Sequence, residues 1–267
     1  MPHMSPEPKG KLVKKAYAFL SRMLLRGEFP PGSKLSERAL SEKCGVSRVP
    51  MREAIRLLIE EGALTQRSQS GTYVNALSRD DLIDIYEIRE AIECQQVRAA
   101  IPRMTPRDRE TLLHHVRSQH EIAEKFRASR QPRLVGKDES DFLSHDFAQH
   151  LLILRRAGNR FAEKIVTSAY RRNSFFGLHS HVRDLKHIAW TWRYHKRLVE
   201  AIVSGDPERA EFWMRQHIIR SKRDAIRQFD EKQAEEAAPS RAREPAAPES
   251  VRRNGCARDG ARGAAVV

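Results

Sequence analysis

The segment from Leu35 to Ile55 constrains the fold more than any other part of the chain. Its first half predicts a short helix that Ser36 caps and that ends at the turn residue Gly45. A second helix follows at once, with Ser47 at its N-cap and Pro50 in its first turn, where the missing amide hydrogen costs no hydrogen bond. Two short helices joined by a tight turn form a helix-turn-helix, which presents the start of its second helix to a partner.

Basic side chains mark the exposed start of this second helix. Arg48 and Arg52 are one turn apart and therefore share a helix face. An arginine there can bond both major-groove acceptors of guanine, with about 1–3 kcal/mol of discrimination for each contact. We expect Arg38 beside the same groove, and Ser47 with the first helix amides against a DNA phosphate. The alternative is an ordinary solvated helix face whose arginines form salt bridges with nearby glutamates.

The flanking segments complete a small domain. Residues 11–26 carry apolar side chains at helical spacing. Residues 64–74 hold two short β-type runs around a polar turn that includes Gly71, which is the pattern of a hairpin. Together these elements predict a winged helix-turn-helix over 11–75, whose wing approaches the DNA backbone or minor groove. A loose N-terminus at 1–10 precedes this domain, and a linker at 76–79 follows it.

The remainder of the chain predicts helices alone. The expected helices cover about 80–101, 105–127, 139–156, 160–175, 184–204 and 207–229. No strand pattern and no Gly-rich phosphate loop occurs among them, so we expect an all-α bundle over 80–230. The predicted fold class is therefore mainly α, with an N-terminal winged helix-turn-helix and a C-terminal helical bundle. Residues 231–267 are rich in Ala, Pro, Arg and Glu without periodicity and predict a disordered tail.

The composition of the chain bears on the partner and the compartment that we expect. The chain of 267 residues has 49 Lys and Arg against 35 Asp and Glu, a formal net charge of +14. This excess fits a polyanionic partner such as nucleic acid, although charge kept for solubility is an equal alternative. The three cysteines are scattered without metal-type spacing, which is typical of a reducing compartment. Since the sequence shows neither the apolar core of a signal peptide nor a membrane-length apolar run, we expect a cytoplasmic chain without a membrane partner.

One group of polar residues in the predicted bundle has metal-ligand chemistry. Asp146 and His150 are one helical turn apart on one face, and His195 and His217 fall on two later helices. One carboxylate with three imidazoles suits a divalent ion such as Zn²⁺, with Ni²⁺ or Mn²⁺ also open. Spacing alone is weak evidence in a chain with 11 histidines, because a single histidine is more often a packed or surface residue.

The N-terminal domain resembles a known family of regulators. The motif residues are Gly27-x-Phe-Pro-Pro-Gly32 with Leu35-Ser-Glu37, followed by Gly45-Val-Ser-Arg-Val-Pro-Met-Arg-Glu-Ala54. This pattern is similar to the winged-helix motif of GntR-family transcription regulators and covers about residues 12–75. The resemblance implies that Arg38, Arg48, Arg52 and the wing residue Gly71 contact operator DNA.

The second domain resembles the all-helical FCD ligand-binding domain of the FadR-type GntR subgroup. The motif residues are Asp146-x3-His150 with Gly158-Asn159, His195-x4-Glu-Ala-Ile202 with Gly205-Asp206, and Met214-x2-His217. The resemblance implies that Asp146, His150, His195 and His217 bind a divalent metal, Zn²⁺ first. It also implies that Arg89 faces the cavity and grips a carboxylate, against the alternative of an intrahelical pair with Glu93. Gln149 departs from the pattern, because an aromatic residue commonly precedes the histidine, and this affects the expected pocket shape.

These patterns together predict a metabolite-responsive transcription regulator and not an enzyme. We expect a repressor that binds a pseudo-palindromic double-stranded operator as a homodimer, with a small organic acid as its effector beside the metal. One alternative is a metal-dependent hydrolase or lyase that uses the Asp/His residues, although no further acid/base or nucleophile motif accompanies them. Another is a non-specific architectural DNA protein.

Overall fold

The N-terminal unit of the computed structural model is a winged helix-turn-helix, and the structure describes residues 9–175 and 184–237 of the chain. Its elements are α1 (Lys9–Leu25), β1 (Lys34–Leu35), α2 (Glu37–Cys44), α3 (Arg48–Glu60), β2 (Leu64–Arg67) and β3 (Gly71–Val74). Leu20 from α1 and Met51 and Leu58 from α3 are fully buried in one apolar core, so α1 packs across the back of α3. This packing leaves the opposite face of α3 exposed.

The wing contains one strand that the sequence did not predict. The sheet is antiparallel in the order β1-β3-β2, and β1 pairs Leu35 with Thr72. A two-residue strand is too short to show the alternation by which strands are recognised. Gly71 has a φ of 119°, a backbone conformation that favours glycine, whereas the lysine side chain of Lys34, 2.9 Å from a Cβ placed there, could move aside.

The C-terminal unit consists of helices among the residues that the structure describes. These are α4 (Arg79–Ala100), a 3₁₀ turn (Ile101–Arg103), α5 (Pro106–Ser129), α6 (Gly136–Ala157), α7 (Arg160–Phe175), α8 (Leu185–Ser204) and α9 (Pro207–Ala237). Ser78 and Thr105 begin α4 and α5 with reciprocal capping boxes, which satisfy amide groups that each first turn leaves without a helical partner. The predicted fold class is confirmed.

The last helix is longer than the sequence predicted. α9 continues to Ala237, whereas the expected helix ended at 229 and the expected tail began at 231. Two properties account for the extension: Phe229 packs against the main core, and residues 231–237 are Glu, Lys, Gln and Ala, which have high helix propensity. The rest of the predicted tail, and the first eight residues, lie outside the described residues.

Helix α4 positions the site because it runs through the middle of the bundle. It packs against α9, α6 and α7, while α8 packs against α5 and α9. The inward faces of α4, α6, α8 and α9 therefore surround one polar interior region. Helix α7 also touches α1 of the N-terminal unit. Within the described part of the chain, no helix combines the length and the apolar character that a bilayer-spanning segment needs.

Candidate functional site

Four potential metal ligands meet inside the helical bundle. Asp146 and His150 from α6, His195 from α8 and His217 from α9 each offer one ligand atom, and these atoms lie within 4.8 Å of one another. We call these four residues the Asp/His cluster. Its three imidazoles are almost fully buried, and Asp146 is partly exposed. The structure thus brings together, from three helices, all four residues that the sequence analysis proposed as ligands.

Hydrogen bonds outside the cluster hold two of its imidazoles in fixed orientations. His150 Nδ1 donates to Glu93 Oε2, and His195 Nδ1 donates to Gln119 Oε1 at 2.9 Å. A histidine that donates through Nδ1 keeps the lone pair of Nε2 available, and metal-binding histidines are commonly oriented in this way. The outer partners therefore fix the tautomer that a metal ion requires.

Three ring nitrogens of the cluster are buried without a hydrogen-bond partner in the structure. They are His150 Nε2, His195 Nε2 and His217 Nδ1. Burial lowers the pKa of His195 to about 4, although Asp146 opposes the shift. The pKa of His217 lies well below its usual value because the ring is buried and because His195 lies beside it. The His195 and His217 rings are thus neutral near pH 7, and neutral imidazole is the metal-binding form. Buried, unpartnered ring nitrogens beside a carboxylate fit a divalent ion.

Arg89 on α4 forms a buried ion pair next to the cluster. Its Nε donates to Glu93 Oε1 at 2.8 Å, and both side chains are nearly inaccessible to solvent. Burial alone would raise the pKa of Glu93, but Arg89 and then His150 lower it to about 2. Arg89 also lies over the Tyr170 ring, with its guanidinium carbon 3.9 Å from the ring centroid, and donates to the Tyr170 hydroxyl. The intrahelical Arg89–Glu93 pair expected as the alternative is present, and it is buried rather than solvated.

A small cavity of about 70 Å³ opens beside these groups. Its lining includes Arg89, Asp146, Tyr170 and His217, together with Thr191, Asp224 and Gln228. The Arg89–Glu93 pair does not remove Arg89 from the cavity. A cation, Arg89, and two members of the Asp/His cluster, Asp146 and His217, therefore face the same space. This space would hold a few water molecules, at about 10–15 Å³ each, or an organic molecule of comparable size.

Several functional neighbours were missed by the sequence analysis. Gln119 and Tyr170 carry no motif, and only the fold brings them to His195 and Arg89. Glu93 was expected only as a partner of Arg89, and its contact with His150 was missed. Gln149 was recognised only as a departure in the position before His150. It is buried and donates to Gln119 Oε1 at 2.9 Å, so an amide pair stands where an aromatic ring was expected. The only sequence signal for any of these contacts was the spacing of one helical turn between Arg89 and Glu93.

The proposed DNA-reading residues lie together on the exposed side of the N-terminal unit. Arg48 is exposed at the start of α3 and forms no ion pair with any other described residue. Arg52 is 66% exposed although its Nη2 lies 3.2 Å from Glu37 Oε2, and Arg38 is paired with Glu42 at 3.0 Å. Exposed pairs of this kind contribute at most about 1 kcal/mol, so DNA phosphates and bases can compete for the arginines.

One detail of this surface differs from expectation. Ser47 occupies the N-cap position of α3, but its side chain makes no capping hydrogen bond. The expected side-chain cap is therefore absent, although Val46 packs against the core of the domain and Pro50 is buried. Gly71 begins β3 at the end of the wing turn, where Arg67 lies over the Tyr73 ring at 4.4 Å. Any contact of Gly71 with DNA would thus use its backbone.

Comparison with known proteins agrees with this arrangement. The family model described as "FCD domain" matches residues 84–220, just over half of the chain, and "Bacterial regulatory proteins, gntR family" matches residues 12–74. The chain belongs to the GntR family and carries an FCD domain. This GntR-family protein is a transcription regulator, and the family and its relatives are regulators rather than enzymes.

Individual relatives cover most of the chain. The "Uncharacterized HTH-type transcriptional regulator YdhC" of Bacillus subtilis (strain 168) is 28% identical over 76% of this chain and 84% of the relative. The "HTH-type transcriptional repressor GlaR" of Escherichia coli (strain K12) is 26% identical over 76% of this chain and 90% of the relative. A solved structure titled "E. coli McbR/YncC" has the same fold, with a TM-score of 0.67, 20% identity and coverage of 82% and 98% of the two chains.

Proposed function

We propose that this GntR-family regulator is a metal-containing repressor whose affinity for operator DNA is controlled by a small organic acid. The observation that carries the proposal is that Arg89 lines one small cavity together with Asp146 and His217 of the Asp/His cluster. Two relatives named as repressors, one of which is GlaR, support the sign of regulation. Because the proposed target is chromosomal DNA, we expect the protein to act in the bacterial cytoplasm.

On the DNA side, we propose that α3 enters the major groove. Arg48 and Arg52 project from its exposed first turns and would contact base edges, while Arg38, Ser47 and the backbone at Gly71 would contact the phosphates or the adjacent groove. A homodimer would place two such helices on the half-sites of a pseudo-palindromic operator, about one helical turn apart.

On the sensor side, we propose that the Asp/His cluster holds a divalent ion, with Zn²⁺ favoured by three imidazoles and one carboxylate. Ni²⁺ or Mn²⁺ are the other candidates. Such an ion would supply a positive charge that attracts the carboxylate of an acid. Arg89 would bind the same carboxylate from the opposite side with two parallel hydrogen bonds, after its Nη2 exchanges the Tyr170 hydroxyl for the ligand. The small cavity favours an acid with only a few heavy atoms.

Three consecutive residues of α7 offer a route from the cavity to the DNA-binding domain. Tyr170 contacts Arg89, whereas Arg171 pairs with Glu61 at the end of α3. Arg172 donates to Asp81 in the capping box of α4 at 2.8 Å. Since successive helical side chains point about 100° apart, one short segment reaches the cavity, the reading helix and the start of α4. A ligand that displaces Tyr170 would therefore bias the orientation of α3.

The test combines operator selection with a ligand screen. Binding-site selection at moderate salt should yield a two-fold-related sequence, and a thermal-shift screen of small carboxylic acids on Zn²⁺-loaded protein should identify stabilising ligands. At least one such acid should then change operator affinity by about 5–150-fold, the usual range of allosteric coupling. Selection of unrelated sequences would reject the operator proposal. The effector proposal would be rejected if no acid stabilises the Zn²⁺-loaded protein, or if the stabilisation persists without Zn²⁺.

A further inference from the structure

A second group of histidines lies on the side of the bundle, outside the Asp/His cluster. His114 and His115 are on α5, and His145 is on α6. The Nδ1 atoms of His115 and His145 are 2.9 Å apart, and both rings are half-buried, whereas His114 is exposed. We call these three residues the His trio. None of the ligand roles described above uses them.

The separation of the His115 and His145 rings is that of two imidazoles around one ion, and the two separations that involve the exposed His114 ring are wider. A Zn–N bond of about 2.0–2.1 Å places each ring centroid about 3.2 Å from the metal, so tetrahedral or trigonal ligands have centroids about 5.2–5.5 Å apart. The observed separations are 5.2 Å for His115 and His145, 5.7 Å for His114 and His115, and 6.0 Å for His114 and His145. The Asp/His cluster has separations of 5.4, 5.1 and 4.4 Å between its own rings.

We infer that the His trio is a second binding site for a divalent transition-metal ion. His115 and His145 would supply the two Nδ1 ligands that already face one another, with the ion replacing the hydrogen bond between them. The exposed ring of His114 would turn to supply the third nitrogen. Water would complete the coordination, since this part of the surface is open to solvent. Imidazole nitrogens favour Zn²⁺, Ni²⁺ or Cu²⁺ over Mg²⁺ or Ca²⁺.

The position of the His trio gives the second ion a structural consequence. His115 precedes Gln119 by one turn on α5, and His145 precedes Gln149 by one turn on α6. These two glutamines hydrogen-bond to each other, and Gln119 accepts from His195 of the Asp/His cluster. An ion at the trio would therefore tie α5 to α6 beside the contact that orients His195. It would stabilise the fold by mass action, as any ligand of the native state does.

Zinc stoichiometry of the untagged, full-length protein tests this inference. The metal-free chain is dialysed against buffered Zn²⁺, and the bound zinc is counted by mass spectrometry, with helix content checked by circular dichroism. We expect two ions per wild-type chain, one in His115→Ala, and two in the control His120→Ala, which alters a histidine of α5 outside the trio. His114→Ala, at an exposed position, should weaken one of the two sites at least about tenfold while leaving the fold unchanged.

The outcomes separate this inference from the proposed function. His217→Ala should lose only the ion of the Asp/His cluster. If the wild type binds one ion that survives in His115→Ala, the second site does not exist. If the wild type binds two and both survive in His115→Ala and His114→Ala, the second ion lies elsewhere and the inference is also overturned. A single ion that is lost in His115→Ala would support the trio and reject the Asp/His cluster instead.

Discussion

Replacing Glu93 with glutamine tests how the buried ion pair supports the Asp/His cluster. Each carboxylate oxygen accepts a different hydrogen bond, because Oε1 accepts from Arg89 and Oε2 accepts from His150 Nδ1. The glutamine of Glu93→Gln can supply only one acceptor. If its oxygen stays with Arg89, its amide donates to His150 Nδ1, and the proton of that ring moves to Nε2. The protonated Nε2 can then no longer bind a metal ion.

The size of the effect follows from these contacts. Loss of an outer partner of a metal-binding histidine typically lowers metal affinity about 10–100-fold, or about 1.4–2.7 kcal/mol. A second effect falls on folding, because Arg89 keeps its charge at 3% exposure without a full counter-charge. Removing one member of a buried pair typically destabilises a protein by about 3–5 kcal/mol. The amide retains one hydrogen bond, so we expect a value near the lower limit.

Two assays separate these effects. Zn²⁺ affinity is measured by competition with a chromophoric chelator, and the free energy of unfolding of the metal-free protein is measured in urea. The control is Glu90→Gln, which changes another glutamate of α4. It weakens a partly exposed pair with Arg215 of α9 and should leave Zn²⁺ affinity unchanged. A Glu93→Gln protein that folds and binds Zn²⁺ within about threefold of the wild type would refute the tautomer argument.

The same substitution changes the acid sensitivity of the metal-free protein. In the wild type, Arg89 and His150 lower the pKa of Glu93 from 4.5 to about 2 against the opposing effect of burial. A lowered carboxyl pKa stabilises the folded state at pH values above the unfolded pKa, and this contribution is lost as the pH falls from about 4.5 towards 2. Between pH 5 and pH 3, the free energy of unfolding of the Glu93→Gln protein should therefore fall less than that of the wild type. Urea unfolding at the two pH values measures this difference.

Four further predictions concern the reading helix, the metal, the α7 route and a helix cap. Arg48→Ala or Arg52→Ala should each cost about 1–3 kcal/mol of operator specificity, and retained base discrimination in both would reject α3 as the reading helix. Chelation of bound metal should lower the melting temperature by about 5–10 °C if the ion was present at 100 times its dissociation constant. Arg171→Ala should reduce the effect of an acid on operator affinity, whereas Arg155→Ala, which removes an exposed α6–α7 pair, should not. Thr105→Ala should lower the free energy of unfolding by about 1 kcal/mol in urea, because it removes the cap of α5, and an unchanged value would show that the cap is redundant.

The fold was predictable from the sequence where local signals are strong. Ser36 and Gly45 bound α2 as the pattern indicated, and Pro106 and Pro207 each begin a helix. The two-residue strand Lys34–Leu35 was missed because its pairing with β3 is a tertiary contact with no local pattern. The end of α9 was missed because the alanine and glutamate content of 231–237 favours helix as well as disorder.

The site was predictable only in part. Asp146 and His150 share a helix face, so their proximity follows from helical periodicity, but His195 and His217 reach them only through the packing of α8 and α9. Of the partners that orient the rings, only Glu93 left a signal in the sequence, through its spacing of one helical turn from Arg89. Gln119 belongs to no motif in the sequence, and its contact with His195 spans 76 positions of the chain.

The most direct test of the account is the affinity of the Zn²⁺-loaded protein for its selected operator, measured by fluorescence anisotropy with and without the acid found in the screen. We expect the acid to weaken binding at least about fivefold in the wild type and to have no effect in His195→Ala. Equal operator affinity in the presence and absence of every stabilising acid would contradict the claim that the Asp/His cluster and Arg89 control DNA binding.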